Sequence, residues 1–305
     1  MRLLSFRDQR GETRTGAIAD ERVIDLTQAI AGLSLPASIA ERGLTSPNSG
    51  MLRLLYAGAA GIAAIRRYVD DATTAGGLER LPLWREVTLL APIPRPGKIV
   101  AIGRNYADHA KETGAQPFER PRIIAKLSSS VVGPGAVVQR PVAINKLDFE
   151  AELAVVIGGF ASQAPRERAL EMVAGYTALN DLSAREFQFD VSPPQTTFAK
   201  SMDGFCPMGP WLVTADEISD PQALDLKSFV NNVPMQKGNT ADMLFPVAHI
   251  IEYLSQFMTL EPGDVIATGT PAGSGAFRDP PIWLKPGDRV RIEISQIGTL
   301  EHSIG

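Results

Sequence analysis

From Lys98 onwards the chain is a succession of short segments rich in strand-forming residues, and this pattern restricts the fold more than any other feature. The runs are KIVAIG, RIIAKL, AVVQ, LAVVIG, YTALN, WLVT, DVIATG and RVRIEI, separated by glycine and proline. β-Branched and aromatic residues favour strands, whereas glycine and proline favour turns. Only PRERALEMVAG (165–175) and VAHIIEYLSQFM (247–258) have helical spacing, so the strand–helix alternation of a doubly wound sheet is missing. The sequence predicts an α+β, mostly β fold, closer to a roll or barrel.

The first ninety residues are predicted to form a small α+β domain of their own. MRLLSF and GAIADERVIDL predict short strands, and MLRLLYAGAAGIAAIRRYVDDA (51–72) has apolar residues at helical spacing. The segment LPLWREVTLLAPIPRPG (81–97) is rich in proline near its end and is the predicted linker. The predicted domains are therefore residues 1–90 and a catalytic β-roll domain at 91–305.

Charge and cysteine content exclude several classes of partner. A net charge of −4 leaves no basic excess to neutralise a phosphate backbone, so nucleic acid is not expected. The single cysteine, Cys206, cannot form an internal disulfide and fits a reducing compartment. The N-terminal segment MRLLSFRDQR lacks the apolar run of a signal peptide or a membrane span. We predict a cytoplasmic protein that acts on a small molecule without a membrane partner.

Two segments imitate nucleotide-binding motifs. NKLD (145–148) is similar to a guanine-reading tetrapeptide, and GTPAGSG (269–275) is a glycine-rich loop. Neither is followed by the Gly-Lys-Ser/Thr of a phosphate-binding loop, and no G-x-G-x-x-G is present. Both are better interpreted as turns, although the second could offer backbone N–H groups and the Thr270 hydroxyl to a carboxylate.

The segment DFEAELAVVIG gives the strongest chemical signal. Glu150 and Glu152 project from one face of a strand that is otherwise apolar. Two buried carboxylates repel each other unless a cation holds them or one is protonated, while exposure on the wet face of an antiparallel sheet is the alternative. A third carboxylate, Asp181, ends the apolar run GYTALND. Three hard oxygen ligands suit Mg²⁺ or Mn²⁺ better than structural zinc.

A histidine and a glutamate stand three residues apart in GRNYADHAKE (103–112), directly after a predicted strand. Residues three apart are neighbours on a helix, so Glu112 could bond one ring nitrogen of His109 and leave the other to act as a base. An isolated H-x-x-E is more often a solvated surface turn, and only the surrounding motif favours the functional interpretation. The following TGAQPFERP (113–121) predicts a mobile loop of the kind that a lid needs.

Five segments together resemble the fumarylacetoacetate hydrolase family. They are KIVAIGRNYADHAKE, DFEAELAVVIG, GYTALNDLSAREFQ, FCPMGPWLVT and NTADMLFPVAHIIEYLSQFMTLEPGDVIATGTPAG, in that order, and they cover roughly residues 98–305. The resemblance implies a mixed β-roll, a homodimer, and a divalent metal on carboxylates that match Glu150, Glu152 and Asp181. The further acidic ligand of fumarylacetoacetate-cleaving members is not placed, so the chain is more similar to the acylpyruvase and oxaloacetate decarboxylase branch.

The resemblance also implies a reaction and roles for further residues. The expected reaction is metal-dependent cleavage of a C–C bond in a 2-oxo acid through a pyruvate enolate, either acylpyruvate hydrolysis or oxaloacetate decarboxylation. His109 and Glu112 would activate water from a short helix that closes over the metal. Lys200 would bind a substrate oxygen, and Arg185, Gln188 and Thr270 would orient the substrate.

Other interpretations of the sequence stay open. The same family resemblance allows an isomerase of unsaturated 2-oxo or 2-hydroxy diacids in aromatic catabolism. The non-enzymatic alternative is a binding or structural protein whose fold the metal stabilises. FDVSPPQTTF, Met202 and Gly204 depart from the common family pattern, which leaves the choice of substrate open. A Cys206 nucleophile is disfavoured, because FCPMGP indicates a tight turn without a group that would activate the thiol.

Overall fold

The computed structural model describes residues 1–35, 50–112, 114, 116 and 118–305. Its α-helices are α1 Thr27–Ala31, α2 Gly50–Tyr56, α3 Gly58–Ala75, α4 Ala107–Glu112, α5 Thr196–Ala199 and α6 Val247–Ser255. Its strands are β1 Arg2–Arg7, β2 Thr13–Ala19, β3 Arg22–Asp25, β4 Thr88–Leu90, β5 Ile99–Gly103, β6 Arg122–Lys126, β7 Val131–Val132, β8 Val137–Val138, β9 Leu147–Asp148, β10 Ala151–Ile157, β11 Val173–Asn180, β12 Ser183–Ala184, β13 Cys206–Thr214, β14 Asp225–Val230, β15 Val233–Asn239, β16 Val265–Ala267, β17 Arg289–Ile294 and β18 Gly298–Ile304. No helix within these ranges combines the length and apolarity needed to cross a bilayer.

The strands form a mixed β-roll, which confirms the predicted fold class. One sheet runs in the order β3-β2-β1-β13-β11-β10-β16-β5-β6, with β4 beside β1 and β7 beside β13. A second sheet runs in the order β15-β14-β17-β18-β8, and β9 pairs with β12. All seven residues of β10 are buried, since apolar side chains cover both faces of this central strand.

The N-terminal strands continue the large sheet. Strand β1 pairs antiparallel with β13, with Arg2 opposite Val213 and Leu3 opposite Leu212. The predicted linker is also partly a strand, because β4 pairs with β1 through Leu90 and Ser5. The N-terminal unit is thus hydrogen-bonded to the rest of the chain, and the domain boundary between residues 90 and 91 stays a prediction.

Three predicted elements differ from the structure. The run GAIADERVIDL is two strands, because Asp20 and Glu21 turn the chain with φ of 47° and 65°, as a two-residue hairpin turn requires. The predicted helix 51–72 is broken between α2 and α3, where Gly58 has a φ of 64°. The helix predicted at 165–175 is confirmed only in part: Arg166–Met172 is helical, but it is a 3₁₀-helix. Val173 then starts β11 and pairs with β10, so tertiary pairing overrides the local helical spacing.

Four chain segments meet at one edge of the large sheet. Strands β16 and β5 are parallel, so both carboxyl ends lie at this edge. Strand β10 is antiparallel to β16 and to β11, which brings the start of β10 and the end of β11 to the same edge. Chain topology therefore gathers the residues around 104–112, 148–152, 181–185 and 269–277.

Candidate active site

Three carboxylates converge at this edge. Glu150, Glu152 and Asp181 each offer an oxygen, and these three oxygens lie within 4.8 Å of one another. The side chains are buried, with 5%, 2% and 1% of each residue exposed. The antiparallel pairing of Ala151 with Asn180 produces the cluster, because it sets the flanking residues side by side. The alternative that the glutamates lie on a wet sheet face is wrong.

Lys200 neutralises two of these carboxylates. Its Nζ donates to Glu150 Oε2 at 2.6 Å, to Asp181 Oδ2 at 2.7 Å and to Ser183 Oγ at 2.8 Å. An ammonium group has three protons, so these bonds occupy all of its donors. Burial lowers the pKa of Lys200, but Asp181 and Glu150 outweigh burial and the net pKa is raised. The role of Lys200 toward a substrate oxygen stays a prediction.

A second lysine, which the sequence analysis missed, completes the surroundings of Asp181. Lys126 Nζ lies 2.7 Å from Asp181 Oδ1 and donates to the Phe205 carbonyl at 3.0 Å and to the Lys200 carbonyl. The side chain of Lys126 has no exposed surface. The available signal was the alternation along β6, since Lys126 stands two residues after the buried Ile124 and shares its face.

Arg185 connects the cluster to a fourth carboxylate, Asp148. Its Nε and Nη2 donate to Asp148 Oδ2 at 2.9 and 2.7 Å, and Nη2 also donates to Glu150 Oε1 at 2.6 Å. Its Nη1 donates to Gln188 Oε1 at 2.6 Å. Asp148 is fully buried, and the sequence analysis missed it because NKLD indicated only a turn. Arg185 is thus held by protein groups on three sides.

The two glutamates have opposite electrostatic surroundings. Burial acts to raise the pKa of Glu150, but the charges of Lys200 and Arg185 outweigh it and hold the pKa below its usual range. Burial, and then the charges of Asp181 and Glu150, raise the pKa of Glu152 well above its usual range. Within the described part of the chain, no lysine, arginine or histidine forms an ion pair with Glu152. Glu152 therefore has no cationic side chain in direct contact among the described residues.

His109 and Glu112 lie on α4, as their spacing predicts. His109 Nδ1 and Glu112 Oε2 are 3.1 Å apart, and the His109 ring packs edge-on against Phe277 with centroids 5.4 Å apart. Only 4% of His109 is exposed, so the surface-turn alternative is wrong. The catalytic roles of the pair stay predictions. Thr113, Ala115 and Pro117 of the predicted lid lie outside the described residues.

The glycine-rich loop after β16 holds carboxylates through its backbone. Gly269 N donates to Glu152 Oε2 at 2.8 Å, and Gly275 N donates to Asp148 Oδ1 at 2.7 Å. Gly273 N donates to Glu112 Oε1 at 3.0 Å. The loop thus offers its N–H groups to carboxylates of the protein itself, and an offer to the carboxylate of a ligand stays a prediction.

Conformation explains why glycines occupy this loop. Gly269 and Gly273 have φ of 102° and 99°, a region that side chains disfavour. A Cβ at Gly273 would also stand 2.6 Å from the Met235 carbonyl oxygen. The Thr270 hydroxyl donates to the Ala151 carbonyl at 2.8 Å and accepts from Gln236 at 2.7 Å. Its predicted contact with a substrate stays a prediction.

A cavity of about 250 Å³ opens over the carboxylate cluster. Eight of the nine predicted site residues line it, and the ninth, Glu112, reaches it through His109. Further lining residues are Arg104, Arg122, Ile124, Phe189, Thr196 and Phe277. Cys206 does not line this cavity, and burial raises the pKa of its thiol to about 12, which argues against a thiolate nucleophile.

Residues 98–305 match the family model of the fumarylacetoacetate (FAA) hydrolase C-terminal domain. The chain therefore belongs to the fumarylacetoacetate hydrolase family. It is similar to the mitochondrial oxaloacetate tautomerase FAHD2A of Homo sapiens, at 42% identity over 254 residues, which are 83% of this chain and 79% of that protein.

Two solved structures extend the comparison over the whole chain. A maleylpyruvate hydrolase from Sphingobium sp. SYK-6, in complex with manganese(II) and pyruvate, has 32% identity and a TM-score of 0.76, and the alignment covers 100% of this chain and 98% of that one. A 2-hydroxyhepta-2,4-diene-1,7-dioate isomerase from Mycobacterium marinum has 31% identity and a TM-score of 0.69 at the same coverage. Relatives of this chain thus carry hydrolase, tautomerase and isomerase names.

Proposed function

We propose that the protein is a divalent-metal-dependent enzyme that cleaves a C–C bond in a 2-oxo acid by way of a pyruvate enolate. The observation that carries the proposal is Glu152, a buried carboxylate that forms no ion pair with a described lysine, arginine or histidine, in one cavity with the proposed base His109. Acylpyruvate hydrolysis is the leading reaction. Oxaloacetate decarboxylation would use the same site, because loss of CO₂ leaves the same enolate.

Glu150, Glu152 and Asp181 would hold the metal, which we expect to be Mg²⁺ or Mn²⁺. Ligands at about 2.1 Å in an octahedron are about 3 Å apart when adjacent and about 4 Å when opposite. Three carboxylate oxygens within 4.8 Å of one another need little adjustment to reach such positions. When bound, the ion would supply a Lewis acid for the 2-oxo and carboxylate oxygens of the substrate. The manganese in the maleylpyruvate hydrolase supports this choice of ion.

His109 would act as the general base. With Nδ1–H donated to Glu112, the basic lone pair resides on Nε2, and the Glu112 carboxylate stabilises the imidazolium that forms. Nε2 would take a proton from water as the water oxygen attacks the distal carbonyl carbon. The bond from that carbon to C3 then breaks, and the proton on Nε2 can return to C3.

The cations around the cluster would position these groups and offset charge. Arg185 and Lys200 fix the Glu150 carboxylate from two sides, through bonds of 2.6 Å each. Gln188 lines the cavity and uses only its carbonyl oxygen for Arg185. We assign its amide N–H groups to the substrate.

Proton transfer without C–C cleavage is the second candidate function. A base beside a bound 2-oxo acid can move a proton between C3 and the enol oxygen, which is the chemistry of a tautomerase or an isomerase. The human relative named an oxaloacetate tautomerase and the isomerase from Mycobacterium marinum favour this candidate. Both candidates need the same His109.

One substrate panel distinguishes the candidates. Purified protein is incubated with acetopyruvate or oxaloacetate, with Mg²⁺, Mn²⁺ or a chelator, while pyruvate release and the ultraviolet absorbance of the enol are followed. Metal-dependent pyruvate release above the metal-only blank, lost in Glu152→Gln, is the expected result. Enol loss without pyruvate would select the tautomerase, and inactivity on both substrates with every metal would refute the proposal.

The assembly and location are also proposals. We expect a homodimer on the strength of the family resemblance, and sedimentation velocity tests this. A cytoplasmic location stays a prediction, since the human relative is called mitochondrial.

A further inference from the structure

Two arginines line the same cavity as the carboxylate cluster, and neither pairs with an acidic residue in the described part of the chain. Arg104 directly follows β5, and Arg122 begins β6 opposite Gly103. Neither forms an ion pair within 4.0 Å with any carboxylate of the described residues, including Glu150, Glu152 and Asp181. The cavity therefore contains two guanidinium groups separate from the metal-binding cluster.

The backbone at Arg104 is held in an unfavourable conformation. Its φ is 55°, which few residues other than glycine adopt. The next residue, Asn105, is fully buried, and its Nδ2 donates to the carbonyls of Phe245 at 3.0 Å and Thr268 at 2.7 Å. Its Oδ1 accepts from Phe245 N at 2.8 Å. Three bonds from one side chain thus impose the turn that directs Arg104, and strain maintained in this way is typical of functional sites.

The two guanidinium groups share one aromatic support. The Phe118 ring centroid lies 5.5 Å from Arg104 Cζ and 5.9 Å from Arg122 Cζ. The aliphatic part of the Arg122 side chain also packs against Gly103, since a Cβ on that glycine would be only 3.3 Å from Arg122 Cδ. Burial, and then the charge of Arg122, lower the pKa of Arg104. Two like charges placed together cost free energy that an anion between them would recover.

We propose that Arg104 and Arg122 form a subsite for a second carboxylate, so that the enzyme selects 2-oxo acids with an acid group at the far end. Guanidinium forks match carboxylates in a bidentate manner. The apolar side chains of Ile124, Phe189 and Phe277 line the same cavity and suit a hydrocarbon or unsaturated chain between the two acid groups. The inference rests on the proposed function, because the metal cluster takes the 2-oxo acid end.

A pair of ligands that cannot be cleaved tests the subsite. 2-Oxopimelate and 2-oxoheptanoate have the same seven-carbon chain and the same 2-oxo acid end, and only the first has a terminal carboxylate. Binding of each is measured by calorimetry in the presence of Mg²⁺. We expect the wild type to bind the diacid about tenfold to a hundredfold more tightly, the range of a charge-assisted hydrogen bond.

Variants identify the groups responsible. Arg104→Met and Arg122→Met should each reduce the preference for the diacid at least about fivefold while leaving the affinity for 2-oxoheptanoate within about twofold. Arg120→Met is the matched control, since Arg120 is exposed, two residues away, and does not line the cavity. Arg122 is itself exposed, so its variant tests the subsite even if the strained turn at Arg104 does not tolerate substitution.

The outcomes separate the two proposals. Equal affinity of the wild type for both ligands would overturn the subsite and leave the metal-dependent function intact. An equal loss of affinity for both ligands in the arginine variants would have the same consequence. Failure of both ligands to bind in the presence of Mg²⁺ would overturn both the proposed function and the subsite that depends on it. A diacid preference that is lost in Arg104→Met and in Arg122→Met but kept in Arg120→Met supports the subsite.

Discussion

The substitution Glu112→Gln tests whether His109 and Glu112 on α4 activate the water that attacks the substrate. The substitution keeps an oxygen that can accept from Gly273 N but removes the charge beside His109 Nδ1, 3.1 Å away. A hydrogen bond to a charged group contributes about 1.5–3 kcal/mol. Loss of that contribution in the transition state lowers kcat for acylpyruvate hydrolysis by about tenfold to 150-fold. If the amide turns its NH₂ group toward Nδ1, the wrong tautomer is selected and the loss approaches about 10⁴-fold.

Decarboxylation should respond differently to the same change. Oxaloacetate decarboxylation would need a divalent ion held by the carboxylate cluster to stabilise the enolate, but it needs no attacking water. Glu112→Gln should therefore impair oxaloacetate decarboxylation less than tenfold, whereas His109→Ala should lower hydrolysis by about 10²–10⁴-fold, the usual contribution of a general base. The informative quantity is the ratio of hydrolysis to decarboxylation in each variant.

Steady-state pyruvate release at saturating Mg²⁺ measures both rates. Asp108→Asn is the matched control, because it removes the same charge from the same helix at a side chain that is 75% exposed and pairs only with Lys111 among the described residues. The control should keep the wild-type ratio. Equal losses of hydrolysis and decarboxylation in Glu112→Gln would refute the orienting role, and full hydrolysis in His109→Ala would place the base elsewhere.

Three further predictions concern the metal, the thiol and the pH range. Glu152→Gln should abolish the heat of Mn²⁺ binding while the circular dichroism spectrum is kept, and wild-type affinity in this variant would contradict the ligand assignment. Because burial raises the pKa of Cys206 to about 12, iodoacetamide at pH 8 should label the thiol only after denaturation, as mass spectrometry can show. Burial lowers the pKa of His302 from 6.5 to about 4 in the folded chain. Between these pH values the unfolded chain therefore binds more protons than the folded chain, and the free energy of unfolding falls by about 3 kcal/mol as the pH is lowered from 6.5 to 4. Urea unfolding of His302→Gln should show a smaller fall over this range than the wild type.

Local patterns were sufficient for the residues whose relation is set by a single element. Glu150 directly precedes β10 and Glu152 lies two residues further on within it, while His109 and Glu112 lie three apart on one helix, so their periodicity predicted the arrangement that the structure has. The family resemblance supplied Lys200 and Arg185, which local periodicity does not indicate. The structure brings both to the cluster.

Long-range pairing determined what the sequence could not indicate. Lys126 reaches Asp181 only because β6 lies at the edge of the sheet beside β5. The role of Asp148 is apparent only from its bond with Arg185, which lies 37 residues further along the chain. The helix predicted at 165–175 ends early for a related reason, since the pairing of β11 with β10 decides the conformation of its last residues. Contacts of this kind depend on register, which a single sequence does not specify.

The backbone of the loop after β16 gives three acidic side chains one common support. Glu112 comes from α4, Asp148 from β9 and Glu152 from β10, yet each accepts an N–H from residues 269–275. Inserting or deleting one residue in this loop would displace the His109–Glu112 pair, the carboxylate that holds Arg185 and the proposed metal ligand Glu152 simultaneously. Transplanting the chemistry to another scaffold would accordingly require moving this loop together with the acidic residues. Among the described residues, Arg104 and Arg122 form no hydrogen bond with this loop, so the far end of the cavity can diverge between related enzymes while the carboxylate cluster is unchanged.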